Sequence, residues 1–548
     1  MNILIGLSWP YANGELHLGH AASSLSADVI ARYHRAKGHN VVLVSGTDCH
    51  GTPTDIKAIQ TGRSPKEIVD ECHEDFVRAW ERIGLSFDLY NRTDDSYHKK
   101  IVQENFLKYY EKGLVYEKTE KQHYCASCEL FLADRYVEGV CPKCGGSTRG
   151  DECDKCLSLL KPEEITSPKC GICGNAAVHK DTKHLYFAFS KFQSEIAKLV
   201  NDSRAAWREN AILFTERYLD EGIPDRCCTR SLKWGIDVPV EGFEDKKIYV
   251  WCENVVGYLT ASRKCCESNG LDWEDFWKQG RNNKSYFVHA KDNIPFHTII
   301  LPSLLIALDD NYLLPTQIIS DEYLTIEGEK LSKSSGNYIA VNDVLDRYPT
   351  DVVRYYLLSN DPSKRDFNFT WEGFINASNG ELLGKWGNFI NRTLVFINKS
   401  FAGQLEKAPI VPEIEAKLKA LYDEAGKLID TGNIKEGLEL IFSFINYANK
   451  YFDESEPWNL FKTEPAKCND VLYNCVNIIY NVNKLLEPYL PFSAALVNKY
   501  LNETLASWEY QEISKVAISS EIQPLYPRYD KAVIQEEVAN LAAAKTKK

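Results

Sequence analysis

Residues 2–7, NILIGL, and 41–45, VVLVS, are short runs without polar alternation, and the segment between them, LHLGHAASSLSADVIARYHRAKG, has the length of one helix. Strands apolar on both faces must be covered on both faces, which is the condition of a parallel sheet flanked by helices. The second run flows into SGTDCHGTP, a glycine-containing loop at a strand's carboxyl end, where such sheets receive ligands. IYVW at 248–251 and SYFVHA at 285–290 resume the pattern after a cysteine-rich stretch at roughly 117–180. The chain therefore reads as α/β, a split doubly wound (Rossmann-like) parallel sheet interrupted by an insertion.

Chemistry gathers at two points of this frame. SWPYANGELHLGHAAS sets His17 and His20 three residues apart around Gly19, just after the first strand. Imidazoles at a helix start, beside a glycine that lets a ligand reach the backbone, suit a bound phosphate. EGEKLSKSSGN, residues 327–337, offers Lys330 and Lys333, followed by Ser334, Ser335 and Gly336. A loop of that composition can swing two ammonium groups onto a polyphosphate. Either stretch alone is more often a solvated turn, whereas together in one nucleotide-binding frame they form a constellation.

Eight of the 17 cysteines form four CxxC pairs: Cys125 with Cys128, Cys141 with Cys144, Cys153 with Cys156, and Cys170 with Cys173. Each pair supplies two thiolates, so two closed four-cysteine sites for structural Zn2+ are expected, with sequential and nested pairings both satisfying the count. The other nine read as free thiols of a reducing compartment. A length of 548 residues asks for several domains. The net charge of −13 argues against non-specific coating of nucleic acid and leaves room for a local basic patch. The longest apolar run, IILPSLLIAL, is broken by Pro302 and Ser303 and is too short to cross a bilayer, and no leader precedes the first strand. A cytoplasmic enzyme with no membrane partner is expected. After residue 375 the pattern becomes helical: Leu438, Ile441, Ile445, Ala448 and Phe452 follow +3/+4 spacing, as do Val471, Cys475, Ile478, Val482, Leu485 and Tyr489. A helical bundle is expected there, with the tail LAAAKTKK frayed.

With HLGH and KLSKS standing where class I aminoacyl-tRNA synthetases carry their HIGH-type and KMSKS-type signatures, the chain resembles that class. The likeness is strongest to the methionyl-tRNA synthetase family and covers nearly the whole length, including PYANGELHLGH, VSGTDCHGTP, the CxxC insertion, AKDNIPFH and DEYL before KLSKS. The resemblance implies ATP-dependent activation of L-methionine to an adenylate, then transfer to tRNA(Met). His17, Gly19, His20, Lys330 and Lys333 would meet the triphosphate, Asp292 the ribose, and Mg2+ would arrive with ATP. Trp9, Tyr11, Trp251, Asn254, Val255, Tyr258 and His297 would form the amino-acid pocket, with Asp48 on the substrate ammonium. Asn388, Arg392 and Trp458 would hold the anticodon, single-stranded bases being laid on an aromatic ring and read by amide and guanidinium groups. The two-knuckle members of the family suggest the nested cysteine pairing, Cys141, Cys144, Cys153 and Cys156 at one ion and Cys125, Cys128, Cys170 and Cys173 at the other.

The implied organisation is a nucleotide-binding half at 1–116, a connective insertion at 117–240, the second half at 241–318, a KLSKS-containing stem-contact region at 319–375 and an anticodon-binding helical part at 376–548, acting as a monomer. Two departures bear on selectivity. Trp9 stands where a smaller aliphatic residue is usual, and Asn254-Val255 replaces the usual Ala-Pro. They keep a paralogue of altered amino-acid choice as the rival reading; a non-catalytic RNA-binding protein is a more distant one.

Overall fold

The computed structural model describes residues 1–132, 136–149, 153, 156, 160, 164–333, 335–504 and 507–546, Arg149 as backbone only. Ser334, named above, lies outside the described residues. The chain opens with strand β1 (Asn2–Leu7), helix α1 (Leu18–Ala36) and strand β2 (Asn40–Thr47), and strand β3 (Leu89–Arg92) follows after two further helices. These strands join Asn283–Ala290 and Gln317–Asp321 in one sheet, ordered 317–321, 283–290, β1, β2, β3. All four pairings are parallel. β1 is thus the central strand, and its neighbour on one side arrives from the far half of the chain. The order reverses direction beside β1, which makes its carboxyl end the topological switch point.

Burial explains the apolar runs. Ile3, Leu4, Ile5, Leu43 and Val44 are wholly enclosed because helices cover both faces. Gly6 has no substitute: a Cβ there would stand 2.8 Å from the Tyr258 ring and 2.9 Å from that of Phe287. The SYFVHA expectation holds within Asn283–Ala290, but IYVW is not a sheet strand. Only Lys247–Ile248 is extended, paired antiparallel with Thr229–Arg230, and Val250–Glu253 turns into a helix. The β-favouring composition of that run serves side-chain packing instead, Tyr249 under Arg230 and Trp251 on Phe296.

The insertion rests on a long antiparallel hairpin, Val115–Cys125 with Val178–Phe187. At its tip a separate small core holds Cys125, Leu132, Tyr136, Val137, Cys141, Cys153, Ile165 and Cys170. So few apolar residues make a poor core on their own, which is why the cysteines matter there.

Beyond the sheet, Leu324–Ile326 pairs with Glu329–Lys330 and Phe367–Phe369. The helices Asn388–Phe401, Pro412–Asp430, Ile434–Ser455, Pro465–Leu486 and Pro491–Leu501 then form the expected bundle. Leu438, Ile441, Ile445, Ala448, Phe452, Cys475, Ile478, Val482, Leu485 and Tyr489 are buried; Val471 is half-buried. The bundle shares one continuous apolar core with the α1 side of the sheet. The tail is a correction for residues 541–546: Ala532–Thr546 is a helix, docked through buried Glu537 and Leu541, while Lys547 and Lys548 lie outside the described residues. Glu537 accepts from Arg347 Nε and from the Tyr348 hydroxyl, both at 2.8 Å. Partners nearly two hundred residues away fix it, and no local pattern announces them. Among the described residues no helix is long and apolar enough to cross a membrane.

Candidate active site

β1 ends in a turn that delivers His17 to the N-cap of α1, with extended backbone at φ −124°. The His17 amide N–H donates to His20 Nδ1 at 3.2 Å, and the two imidazoles stack at 3.8 Å. Because Nδ1 of His20 accepts, the neutral ring carries its proton on Nε2, a donor left for a ligand. Packing lowers His17 to about 3, with Lys333 adding to the effect. His20 is lowered too, by packing first and then by His17 and Lys333. Near neutral pH both histidines are therefore uncharged hydrogen-bonding groups, and positive charge must come from elsewhere.

It comes from the KLSKS loop. A Cβ on Gly14 would stand 3.5 Å from Lys333 Nζ, and one on Gly19 would stand 3.3 Å from Leu331 Cδ1 and 3.1 Å from the His17 ring. The loop thus lies directly on the HLGH turn, and Gly19 leaves the room for it. The following segment is sewn to the same turn: Leu18 N–H donates to Ile339 O (3.0 Å), Val341 N–H to Leu16 O (2.9 Å), and the Tyr338 hydroxyl to Glu15 Oε1 (2.5 Å). Two stretches some three hundred residues apart in sequence form one surface. Lys330 stands exposed on its short strand, and Asp292 is exposed in the turn after Asn283–Ala290, across the switch point from α1.

Beside this surface lies a cluster of aromatic rings. Tyr11 meets Trp251 edge-on at 5.8 Å, and Trp251 stacks on Phe296 at 3.5 Å. The His297 Nδ1–H donates to Asn293 O (2.9 Å), so its Nε2 accepts from the Tyr258 hydroxyl (2.8 Å). Both polar tips are consumed within this cluster, where His297 stacks on His289 at 4.1 Å and Tyr258 packs on Trp9 at 6.3 Å. Val255 is also buried. The bulk of Trp9, 7% exposed, is taken up in a slot between two glycines. A Cβ on Gly46 would fall 2.3 Å from Trp9 Cζ3, and one on Gly257 2.8 Å from Cζ2.

Asp48 is bridged to Tyr11 through the backbone and is nearly inaccessible. Its Oδ1 accepts the His50 N–H at 3.3 Å, and the buried Asn254 amide also faces this carboxyl. Burial, and then the charge of Glu253, push its carboxyl well above the usual range. The sequence reading missed what lies beneath: Glu253 bridges His50 Nδ1 (2.8 Å) and His98 Nε2 (2.9 Å), fully enclosed. His50 was visible in TDCHGTP; His98 and Glu253 carried no signal of their own. Phe296, beside His297, was also overlooked.

The cysteines gather as nested pairs. Sγ atoms of Cys125, Cys128, Cys170 and Cys173 lie within 4.8 Å of one another, as do those of Cys141, Cys144, Cys153 and Cys156. The contacts Cys125–Cys173 (3.5 Å), Cys128–Cys170 (3.9 Å), Cys141–Cys156 (3.8 Å) and Cys144–Cys153 (3.6 Å) match the ~3.8 Å edge of a tetrahedron with ~2.3 Å zinc–sulfur bonds. Both groups can hold a metal ion.

At the far end of the molecule Asn388, Arg392 and Trp458 come to one face. Asn388 is exposed and Ile390 buried, as the helical spacing requires. Arg392 lies 4.2 Å over the Phe452 ring and donates to Asn449 O at 2.9 Å, and Phe452 meets Trp458 at 6.2 Å. Trp458, on the short helix Pro457–Thr463, is 42% exposed and its neighbour Phe461 37%. An exposed aromatic pair beside a guanidinium is a platform on which unstacked bases can lie.

The family model for class I tRNA synthetases of the methionine type, tRNA synthetases class I (M), matches residues 3–394, and that for the anticodon binding domain of methionyl tRNA ligase matches 402–522. Methionine–tRNA ligase 1 of Alkaliphilus oremlandii is 46% identical over 541 residues, covering 99% of this chain and 100% of that protein. Methionine–tRNA ligase 1 of Bacillus cereus is 47% identical over 546 residues, with the same coverage. The fold matches that of Mycobacterium tuberculosis methionyl-tRNA synthetase solved with methionyl-adenylate, at a TM-score of 0.78 and 22% identity over 96% of this chain and 100% of that one. With the signature loops joined on one surface and the likeness running the whole length, the chain belongs to the methionine–tRNA ligase family of class I aminoacyl-tRNA synthetases.

Proposed function

We propose that this enzyme activates L-methionine with ATP at the HLGH–KLSKS surface and transfers it to tRNA(Met) species for both initiation and elongation. Adenylate formation asks little of covalent catalysis and much of positioning and charge stabilisation. The amino-acid carboxylate attacks the α-phosphorus, and the bond to the β-phosphate oxygen breaks to release pyrophosphate. His17 and His20 donate as neutral imidazoles to phosphate oxygens at the α1 N-terminus, where the helix dipole also favours an anion. Lys333, with Lys330 from the strand before it, supplies the charge over the leaving pyrophosphate. Asp292 holds the ribose, and Asp48 takes the substrate ammonium. The aromatic cluster from Tyr11 to His297 would receive the thioether side chain. Mg2+ bound with ATP would supply further neutralisation of the phosphate charge. Zn2+ at the two four-cysteine groups would brace the insertion, and a closed sulfur shell leaves it no catalytic position. Asn388, Arg392 and Trp458 read the anticodon, with the chain acting as a monomer.

The observation that carries this reading is the approach of Lys333 and Leu331 to Gly14 and Gly19. The test is ATP–pyrophosphate exchange with each of the twenty amino acids, on the intact chain and on Lys333→Ala. Exchange with methionine alone is expected, falling about 10²-fold or more in the variant. Exchange with a different amino acid would favour the selectivity paralogue, for which Trp9 and Asn254 are the specific motive. An undiminished Lys333→Ala would remove the loop from the mechanism. Charging of initiator and elongator tRNA by the same preparation tests the second step.

A further inference from the structure

The helix Ala532–Thr546 lies beyond both matched segments, the second of which ends at residue 522, and it supplies no residue to the nucleotide, amino-acid or anticodon sites. Its middle is anchored by Glu537, 4% exposed, and by Leu541. From that anchor its last turn runs onto the KLSKS loop and touches both ends of it. At the leading end Lys545 Nζ sits 2.6 Å from Glu329 Oε2, one residue before Lys330. At the trailing end Gly336, with φ +74°, is so close that a Cβ would stand 2.7 Å from the Ala544 carbonyl oxygen and 3.1 Å from Lys545 Cα. Only glycine meets both the left-handed backbone and that backbone-to-backbone approach.

Between these two contacts the loop carries Leu331 onto Gly19 and Lys333 onto Gly14. Its internal bonds, Ser332 N–H to Asn337 O (2.9 Å) and Asn337 Nδ2 to Lys330 O (3.0 Å), close the loop's base. Glu329 and Lys330 are otherwise exposed, so the helix end is a backstop for the loop's outer side. We propose that the last turn of the C-terminal helix, Ala544–Lys545, is a positioning element for adenylate formation, bracing the KLSKS loop closed over the HLGH turn. The proposal rests on the reading that Lys333 acts on the nucleotide. A lid held from behind spends less of the nucleotide's binding energy on closing, so the brace acts on ATP affinity and on the rate of the first step.

The experiment compares the full chain with three variants: truncation after Ala543, Lys545→Glu, and the swap Glu329→Lys/Lys545→Glu. Truncation leaves Glu537 and Leu541 in place. In methionine-dependent exchange the truncated chain is expected to show KM for ATP raised about tenfold and kcat lowered, while methionine affinity without nucleotide, read by tryptophan fluorescence, stays within twofold. Lys545→Glu should raise KM for ATP about fivefold, the ceiling for one exposed ion pair, and the swap should return it to within twofold of the intact chain. Intact-chain kinetics in the truncation, or a swap no better than Lys545→Glu alone, would overturn the brace. Should truncation also lower the thermal midpoint, the swap, which keeps the chain length, decides. Failure of the underlying reading is separately visible, because Lys333→Ala would then retain exchange whatever the tail does.

Discussion

Replacing Arg354 by methionine tests what locks α1 to the helical half. Arg354 and Asp28 are both 0% exposed. The guanidinium donates to Asp28 Oδ2 (2.8 Å) and to the carbonyls of Ile83 (3.0 Å), Pro488 (3.1 Å) and Tyr489 (2.8 Å), joining α1, the Thr350–Ser359 helix and the bundle at one point. Asp28 also accepts from Arg32 Nε (2.9 Å), Ser86 Oγ (2.6 Å) and Ser86 N (2.8 Å). At an effective dielectric near 20, the 2.8 Å contact is worth ~6 kcal/mol of attraction. Desolvation of both ions offsets much of it, so the pair's net worth is small. Removing one partner is another matter, because the other charge stays buried, at a cost of about 3–5 kcal/mol. Arg32 and Ser86 remain on Asp28, which puts the expected loss near the lower end, ~3 kcal/mol. That is a large part of the ~5–15 kcal/mol by which a typical fold is stable. The assay is urea unfolding of a double-mutant cycle with Asp28→Asn, run at low and high salt. The double variant should cost at least ~1 kcal/mol less than the sum of the singles, and salt should change the coupling little, since a buried pair is poorly screened.

The same variant has a pH signature. Burial works to raise the Asp28 carboxyl, but Arg354 and Arg32 outweigh it and hold it below its ordinary value. A depressed carboxyl contributes stability above its unfolded value and loses it as pH falls through the folded one. The deficit of Arg354→Met should therefore be full near neutrality and shrink in acid. A loss under ~1 kcal/mol, or an additive cycle, would refute the view that this pair fastens the two halves.

Two further outcomes follow from the geometry. The purified chain should hold two zinc ions, and Cys141→Ser should release one and leave the Cys125 site filled; release of both would contradict two independent nested groups. Trp458→Ala should lower kcat/KM for tRNA by about 5- to 150-fold, the ~1–3 kcal/mol of a lost stacking platform, while pyrophosphate exchange is unchanged. Equal loss in both assays would assign the ring to structure instead.

The signature loops were legible because their residues are contiguous: two imidazoles around a glycine and two ammoniums in a polar loop are ambiguous singly, and each gave the other its meaning. The sheet was legible from strands enclosed on both faces. IYVW misled because side-chain packing and membership of a sheet select the same residue types. Spacing alone could not choose between sequential and nested cysteine pairs, since a count of thiolates is blind to the hairpin that folds Cys170 back beside Cys128. The His50–Glu253–His98 bridge draws on three distant segments, and each of its members alone looks like a surface residue. The tail was misread for a related reason. LAAAKTKK has the composition of an end, and its docking depends on Arg347 and Tyr348, far upstream. Trp9 looked like added bulk in a pocket; the space it occupies was provided by Gly46 and Gly257, two glycines with no turn to explain them.

The position of β1 sets a timetable for synthesis. Its partner Asn283–Ala290 leaves the ribosome about 280 residues later, and at ~5–20 residues per second that is roughly 14–56 s. For that interval a largely apolar strand keeps one edge unsatisfied, the kind of template that recruits neighbouring nascent chains. The nucleotide surface is assembled later still, once residues 338–341 arrive to bond the turn at 15–18. A ribosome-bound N-terminal half is thus a sticky, inactive intermediate, and its survival depends on whatever shields that edge until the second half emerges.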